Sequence, residues 1–498
     1  MKKNYYITTP IYYPSAKPHM GHAYSSIAAD VIARFKQIEG YNVFYLTGTD
    51  EHGMKIQKAA EKNNKDPQEF CDEISKAFVD LTKILNISNS DFIRTTEERH
   101  KSTVVKLWNI LDKNEQIYLS KYAGWYSISD EAYYSEEEID DIDGQKFSKS
   151  SGSKVEWMEE ESFFFKLSEW QKPLLKFYQD NPNFIQPESR RNEVINFVES
   201  GLKDLSISRT TFKWGIPVPN NSKHIMYVWL DALTNYISAT NFFDNHNKFW
   251  PADVHIIGKD ILRFHAVYWP AFLMAAKIPL PKQVFGHGWI LSGQEKMSKS
   301  KGNILDPITL IDEFGSDELR YYLMKEVIFG LDGNVNLDNF KNTINDLANN
   351  IGNLSNRIFT ILDKNYNCMV PEVSAGYTIN ENLLINTNDY INIINNYEIH
   401  NYLKKIHSYS STLNKYVNDN EPWNKKNNSE QNIKNILYST LIGLKNLFIL
   451  LYPVTPKSSI SFLKNINIER ENISLELINK AFGLNDKLSK PDILFKKY

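Results

Sequence analysis

"YYITTPIYYPSAKPHMGHAYSSIAADVIARFKQIEGYNVFYLTG" (residues 5–48) contains one complete strand, helix, strand pattern. Its two ends, 5–9 and 42–48, are short runs rich in β-forming apolar residues, and helical periodicity follows each of them. The segment 21–40 between them has one apolar helical face and stops at a glycine. The apolar face consists of Ile27, Val31, Ile32 and Phe35. This spacing predicts a βαβ unit and therefore a parallel sheet.

The same pattern returns later in the chain, with strands at 253–258 and 283–293 and a helix over about 260–276. The stretch 115–210 differs in kind, because it holds the acidic run "SEEEIDDIDG", scattered serines and glycines, and the aromatic "ESFFFKLSEW". We interpret it as an insertion between the two halves of one doubly wound α/β sheet.

The last third of the chain loses its β signal and has helical spacing throughout, which predicts an all-α bundle. Residues 341–498 hold 18 Lys/Arg and 14 Asp/Glu, a net of +4, so the whole-chain charge of −3 leaves −7 for residues 1–340. A mildly basic end is compatible with an RNA partner, although solvated helix faces produce the same balance. The predicted organisation is a Rossmann-like first half (1–114), a connective insertion (115–210), a second half (211–290), a lysine-loop and stem-contact region (291–340) and a helical domain (341–498).

Composition gives the general class. Of the 498 residues, 42% are hydrophobic and 23% are charged, as in an ordinary soluble protein with a core. The two cysteines, Cys71 and Cys368, lie far apart and form neither a disulfide framework nor a thiolate metal site. The first residues do not resemble a signal peptide, and the most apolar stretch, 439–454, is short and contains a lysine. We expect a cytoplasmic protein without membrane association.

The motif "PHMGH" places His19 and His22 at the start of the first predicted helix, just after Pro18. The N–H groups and positive dipole at a helix N-terminus bind anions, and two imidazoles on one face can donate to phosphate oxygens. The alternative interpretation is a pair of histidines that only cap the helix. The preceding strand favours the phosphate role.

Two similar lysine motifs occur, "KFSKSSG" (146–152) and "KMSKSKG" (296–302). The second follows an apolar strand pair near the carboxyl edge of the sheet, where open α/β folds bind ligands. Its lysines can neutralise charge that develops on a pyrophosphate leaving group. The first lies in the insertion behind six carboxylates within 136–143, whose field repels a triphosphate. We therefore assign phosphate binding to the second motif.

The ordered pair of HxGH and KMSKS resembles the class I aminoacyl-tRNA synthetases, and the chain resembles the methionyl-tRNA synthetase family from end to end. The matching stretches are "TPIYYPSAKPHMGHAYSSIAADVIARF" (9–35), "LTGTDEHG" (46–53), "DFIRTTEERH" (91–100), "RNEV" (191–194), "YVWLDALTNYISA" (227–239), "IGKDILRFHAVYWPAFL" (257–273) and "KMSKSKGN" (296–303). The resemblance implies ATP-dependent activation of L-methionine and its transfer to tRNA(Met), for initiation and elongation.

The resemblance also implies site residues. His19, His22, Lys296 and Lys299 would be catalytic and would bind the ATP phosphates, with Gly258 and Asp260 beside the adenosine. The methionine-binding set would be Ile11, Tyr13, Asp50, Trp229, Ala232, Leu233, Tyr236 and His287, in which Asp50 binds the ammonium group. The alternatives are core packing for the aromatic residues and a turn cap for the aspartate. Sulfur–aromatic contacts suit a methionine side chain.

Many relatives carry a zinc knuckle in the connective insertion, and here Ser127, Asp130, Ser148 and Ser151 stand at the ligand positions. Neutral hydroxyls do not replace thiolates on zinc, so we predict no zinc and ordinary packing of the loop. Mg²⁺ would accompany ATP without a dedicated protein cage.

In the helical domain, the resemblance implies an anticodon-binding face formed by Asn349, Asn353, Arg357, Pro422 and Trp423, with the tryptophan stacked on an unpaired base. The alternative is a helix–helix interface with a buried tryptophan. We expect a monomer. Three rival functions are a class I synthetase for another aliphatic amino acid, a small-alcohol nucleotidyltransferase, and a silent RNA-binding paralogue. The short insertion argues against a synthetase for another aliphatic amino acid, and the helical domain argues against a nucleotidyltransferase. The intact histidine and lysine motifs argue against a silent paralogue.

Overall fold

The computed structural model describes residues 2–130, 132–244, 247–292, 295–296, 306–483 and 486–498. The strands are β1 (Asn4–Tyr12), β2 (Asn42–Thr49), β3 (Asp91–Arg94), β4 (Ile117–Ser127), β5 (Ala132–Tyr134), β6 (Ile139–Ile142), β7 (Gln145–Ser148), β8 (Glu156–Phe165), β9 (Ile185–Gln186), β10 (Leu205–Ser206), β11 (Ser208–Arg209), β12 (Pro217–Val218), β13 (Asn221–Met226), β14 (Val254–Gly258), β15 (Val284–His287), β16 (Ile290–Ser292), β17 (Glu295–Lys296) and β18 (Gly333–Asn334). The α-helices are α1 (Met20–Ile38), α2 (Met54–Lys62), α3 (Pro67–Ile84), α4 (Glu98–Lys113), α5 (Gln171–Asp180), α6 (Glu188–Glu199), α7 (Val228–Leu233), α8 (Asn235–Ser238), α9 (Trp269–Ala275), α10 (Pro307–Phe314), α11 (Ser316–Glu326), α12 (Leu337–Leu347), α13 (Asn353–Tyr366), α14 (Thr387–Asn395), α15 (Ile399–Asn420), α16 (Glu430–Leu451) and α17 (Pro456–Asn465).

The central sheet has six parallel strands in the order β3-β2-β1-β14-β15-β9. The chain leaves β1 through α1 toward β2 on one side, and β14 lies on the other side of β1. The strand order therefore reverses between β1 and β14, and ligands of doubly wound folds bind at the carboxyl ends of strands at such a reversal. The predicted fold class is confirmed.

Strand β1 contains a proline in the middle of a central sheet, where a missing N–H group breaks the ladder. The pairing of β1 with β2 shifts register between Thr8 and Ile11, on either side of Pro10. A bulge of this kind changes the direction in which the following side chains point. It thereby sets the position of Ile11 and Tyr13 at the carboxyl end of the strand.

The insertion predicted for 115–210 contributes to the central sheet as well as to its own. Its strands β10, β8, β4 and β5 form a separate antiparallel sheet, but β9 pairs in parallel with β15 through Val284 and Ile185. The two residues of β9 carry too little pattern to be recognised in the sequence. The domain boundaries remain predictions. One edge strand of the central sheet, β9, lies within the predicted insertion 115–210.

The last third is helical in its described residues, as the sequence predicts, and packs directly against α1 and α11 in one continuous core. Among the described residues, α16 is the one helix long and apolar enough to cross a membrane by length and composition. However, 89% of its most apolar window is buried inside the protein, which is the environment of a core helix.

Candidate active site

The two histidines of the PHMGH motif cap helix α1. The backbone N–H of Gly21 donates to Nδ1 of His19 at 3.1 Å, and the backbone N–H of His19 donates to Nδ1 of His22 at 3.1 Å. Because each Nδ1 accepts a hydrogen bond, a neutral ring carries its proton on Nε2. The two histidines therefore do cap the helix, and this is compatible with phosphate binding, since Nε2–H is the group that donates to an oxygen.

The histidine pair is held in one orientation by its neighbours. The two rings stack with centroids 3.7 Å apart, and the ring of Tyr12 lies 4.7 Å from that of His22. The hydroxyl of Tyr12 is hydrogen-bonded to Ser26 at 2.9 Å. Burial, together with the neighbouring imidazole of His19, holds the pKa of His22 well below its usual range, so this ring is a neutral donor at physiological pH.

Most of the predicted methionine-binding residues belong to one large hydrophobic cluster, which spans much of the α/β part of the chain. Members of this cluster are Ile11, Tyr13, Trp229, Leu233 and Tyr236, together with Ile261 and Phe264. Ala232 is also buried, on the same helix as Trp229. The indole of Trp229 stacks on Phe264 with ring centroids 3.6 Å apart. The cluster provides the apolar, polarizable wall that suits a thioether.

His287, the last member of the predicted methionine-binding set, contacts helix α1. Its Nε2 is 2.8 Å from Ser25 Oγ, and its ring packs against Tyr24 and Phe329. A different histidine, His265, lies beside Tyr236, with its Nε2 2.7 Å from the tyrosine hydroxyl.

His265 accepts a hydrogen bond from Tyr236. Its Nδ1 lies 2.9 Å from the carbonyl of Ile261, so Nδ1 carries the proton and Nε2 is the acceptor. Burial lowers the pKa of His265 to about 4, which keeps the ring neutral. Residues 264–268 form a π-helical turn, a feature often found at functional sites. His265 lies within the stretch 257–273 that matches the family, so the sequence already indicated this segment.

The predicted adenosine-side residues lie at the end of β14. A side chain at Gly258 would place its Cβ 2.6 Å from Asp260 Oδ1, so only glycine fits beside this carboxylate without a shift. Gly258 pairs with His287 across the strands. Through His287 and Ser25, this edge is linked to α1, whose first turn bears the histidine pair.

The GTDEHG loop after β2 is buried and connected to the helix that bears the apolar pocket. Asp50 is buried and its N–H donates to the carbonyl of Tyr12 at 2.9 Å. The next-but-one residue, His52, lies 2.6 Å from Asp231 of α7, and His100 approaches the other oxygen of that carboxylate at 2.7 Å. Burial would raise the pKa of Asp231, but the two histidines outweigh it and lower it to about 2. This contact ties the predicted ammonium site to the pocket.

The KMSKS motif is described only in part. The backbone of Lys296 lies in β17, paired with Leu291 of β16. The predicted phosphate-binding Lys299 lies outside the described residues.

The positions of the lost zinc knuckle are hydrogen-bonded to one another. Asp130 accepts from Ser151 Oγ at 2.5 Å, from Ser153 Oγ at 2.9 Å and from the Tyr134 hydroxyl at 2.8 Å. Ser127 Oγ accepts the backbone N–H of Asp130 at 3.2 Å. Hydrogen bonds, beyond the ordinary packing we expected, therefore join the two turns. In the described part of the chain, no group of three or more His, Cys, Asp or Glu is arranged to hold a metal ion.

Four of the five predicted anticodon-binding residues lie at the surface of the helical region. Asn349 and Asn353 are exposed and 3.3 Å apart through their amide groups, and the guanidinium of Arg357 lies 5.2 Å from the ring centroid of Trp423. Trp423 is 48% exposed, which argues against the alternative of a buried helix–helix contact, while Pro422 is buried. A further π-helical turn, 348–352, begins this surface.

The doubly wound sheet, the histidine pair at its reversal point and the late lysine motif define a class I aminoacyl-tRNA synthetase. The family model described as tRNA synthetases class I (M) matches residues 5–359. The chain is 48% identical to the methionine–tRNA ligase of Rickettsia conorii, with all of both chains covered, and 45% identical to that of Bacillus subtilis, with 99% of this chain and 78% of that protein covered. The Mycobacterium tuberculosis methionyl-tRNA synthetase in complex with methionyl-adenylate superposes with a TM-score of 0.95 at 40% identity, covering 99% of this chain and all of that chain.

The free form of the same Mycobacterium tuberculosis enzyme superposes with a TM-score of 0.88 at 38% identity, over 100% of this chain and 99% of that chain. The chain belongs to the methionyl-tRNA synthetase family.

Proposed function

We propose that this chain is a methionine–tRNA ligase that activates L-methionine with ATP and transfers it to tRNA(Met), for both initiation and elongation. The observation that carries the proposal is that Trp229 and Tyr236 pack in the same hydrophobic cluster as Ile11, while the buried Asp50 is hydrogen-bonded to Tyr12, beside the histidine-capped helix. An apolar wall and a single carboxylate match an uncharged side chain and an ammonium group.

The first step is attack of the methionine carboxylate on the α-phosphate of ATP, which releases pyrophosphate. A carboxylate is already a nucleophile at neutral pH, so the protein supplies position and charge stabilisation instead of a general base. His19 and His22 donate through Nε2–H to phosphate oxygens, at the positive end of α1. Lys296 and Lys299 of the KMSKS motif would neutralise charge on the triphosphate, and Gly258 and Asp260 would bind the adenosine.

The second step transfers methionine from the adenylate to the terminal ribose of the tRNA. We propose that Mg²⁺ arrives with ATP, because magnesium usually binds through substrate phosphates and one or two carboxylates. We further propose that the enzyme needs no zinc, since hydroxyl and carboxylate groups at the knuckle positions form hydrogen bonds among themselves. The enzyme acts as a monomer in the cytoplasm, without a membrane partner.

The test is ATP–pyrophosphate exchange with each of the twenty amino acids, without tRNA, on EDTA-treated protein returned to Mg²⁺ alone. We expect exchange with methionine and with no other amino acid. Exchange with another aliphatic amino acid would overturn the specificity. Exchange that needs added Zn²⁺ would overturn the zinc-free proposal alone.

For the helical region, we propose that Asn349, Asn353, Arg357, Pro422 and Trp423 bind the anticodon. Base stacking on an exposed aromatic ring is worth about 1–3 kcal/mol. We therefore expect Trp423→Ala to raise the KM for tRNA by about tenfold or more, while pyrophosphate exchange is unchanged. The matched control is Ile493→Ala, which truncates another exposed apolar side chain. An unchanged KM for tRNA in Trp423→Ala would contradict the assignment.

A further inference from the structure

A buried cluster of charges lies at the junction of α1, α11 and the end of α16, away from the site described above. Asp30 Oδ2 accepts from Nε of Arg34 at 2.7 Å and from a terminal nitrogen of Arg320 at 2.6 Å. All three side chains are at most 1% exposed. Two cations and one anion in a dry interior are costly, so their remaining hydrogen bonds decide whether the cluster is tolerated.

The two arginines make those bonds to the end of α16. Arg320 donates to the carbonyls of Pro453 and Val454, each at 2.8 Å, and Arg34 donates to the hydroxyl of Tyr452 at 3.0 Å. The carbonyl end of a helix carries partial negative charge, which favours cations there. The positive charge of Arg320 therefore lies against the C-terminal end of α16.

The loop after α3 completes the cluster. Ser88 donates to Asp30 Oδ1 through its N–H and its hydroxyl, both at 2.6 Å, and the carbonyls of Leu85 and Asn86 accept from Arg320 and Arg34. Burial would raise the pKa of Asp30, but the two arginines and Ser88 outweigh it and lower it. The carboxylate is therefore ionised at neutral pH, and both of its oxygens are occupied by donors.

Two of the helices that meet here extend from the cluster for most of their length. Helix α1 has 19 residues, about 28 Å, and begins at the histidine pair. Helix α16 has 22 residues, about 33 Å, and begins a few residues after Trp423, on the proposed anticodon face. Further contacts along α1 join it to the helical region, including Lys36 with Asn395 at 2.6 Å.

We propose that the Asp30–Arg34–Arg320 cluster is a positioning device that fixes the helical region on α1, so that a tRNA bound at one end presents its acceptor end at the ATP site. The cluster is needed for charging of tRNA and not for formation of the adenylate, which uses no distant contact. Stability alone does not explain it, because a buried ion cluster is weak evidence for stability and apolar side chains of similar volume often stabilise more. What directed hydrogen bonds to four carbonyls add is a single orientation.

The test compares two reactions in variants that weaken the contacts between the cluster and the end of α16. Arg320→Lys cannot reproduce the fork of bonds to Pro453 and Val454, and Tyr452→Phe removes the hydroxyl that Arg34 contacts. The matched control is Tyr409→Phe, which removes a buried hydroxyl bonded at 2.9 Å to a carbonyl inside the helical region. We expect pyrophosphate exchange with methionine within about twofold of the parent, and a tRNA charging kcat/KM lowered by about fivefold or more in Arg320→Lys and by less in Tyr452→Phe. The control leaves both reactions unchanged.

Thermal denaturation of each variant separates positioning from loss of folded protein. If exchange and charging fall together, or if Tyr409→Phe loses charging to the same degree, the cluster is merely structural and the proposal fails. It also fails if Arg320→Lys charges tRNA at the parental rate. The proposal rests on the proposed anticodon face. If that assignment is wrong, Trp423→Ala charges tRNA normally, whatever the result for Arg320→Lys, so the two failures are distinguishable.

Discussion

His19 uses one ring nitrogen to cap α1 and, in our proposal, the other to bind phosphate, and an asparagine can perform only the first task. Asparagine is among the best N-cap residues, so His19→Asn keeps the cap on Gly21 while it removes the Nε2–H donor. We expect the kcat of methionine-dependent pyrophosphate exchange to fall by about 100-fold, with the free energy of unfolding almost unchanged.

The control for this prediction is His19→Ala, which loses the cap as well and should cost about 1 kcal/mol of stability in addition. Urea denaturation of both variants measures the difference. Near-normal exchange in His19→Asn would show that the histidine is only a cap, the simpler of the two sequence interpretations.

In our proposal Tyr236 lines the methionine site, and its hydroxyl donates to Nε2 of His265. Tyr236→Phe keeps the ring but leaves Nε2 of His265 buried without its donor, which costs about 1–3 kcal/mol. We expect the KM for methionine to rise by about tenfold, while the KM for ATP stays constant. His287→Gln should instead raise the KM for ATP and leave the KM for methionine constant, because His287 lies beside Gly258 on the adenosine side. An equal effect of both variants on the KM for methionine would contradict this division.

At the scale of elements, the knuckle of the insertion offers a test that does not involve catalysis. Asp130 joins its two turns, so Asp130→Ala should loosen the segment 127–153 and increase its rate of amide hydrogen exchange. Exchange in α1 should stay slow. The matched control is Ser129→Ala, which changes a neighbouring side chain that makes no hydrogen bond to Ser151 or Ser153 among those joining the two turns. Added EDTA should alter neither protein. If added Zn²⁺ slowed amide hydrogen exchange of this segment in the parent protein, the proposal that hydrogen bonds replace a zinc ion would be contradicted.

Elements with strong local periodicity could be predicted from the sequence, and those defined by distant pairing could not. β1, α1 and β2 were recognised because apolar spacing and Gly40 mark them directly. β9 has two residues, and its place in the sheet depends on Val284, about a hundred positions away along the chain. Likewise, His287 and His265 both lie near strand ends, and only the strand order decides which of them reaches Tyr236. The resemblance names Tyr236 as a site residue but does not name its hydrogen-bond partner His265.

At the scale of the whole molecule, burial of neutral histidines couples folding to pH. His255 and His265 are both buried, and burial holds the pKa of His255 well below its usual range and lowers that of His265 to about 4. In the unfolded chain both rings bind protons below about pH 6.5. Between pH 6.5 and 4 the unfolded state therefore holds more protons than the folded state, so the stability that these groups confer is lost as the pH falls.

The slope contributed by each histidine is at most about 1.4 kcal/mol per pH unit. His255→Asn removes one titrating ring, while its amide oxygen can replace Nδ1 as the partner of Thr8. Urea denaturation at intervals from pH 7 to 4 should therefore give a shallower loss of stability in the variant, by up to that amount per unit. The carboxylates contribute equally to both proteins, so the difference between the two curves isolates the histidine. Parallel curves would mean that His255 is protonated in the folded protein, in conflict with its position in the core beside the ring of Tyr236.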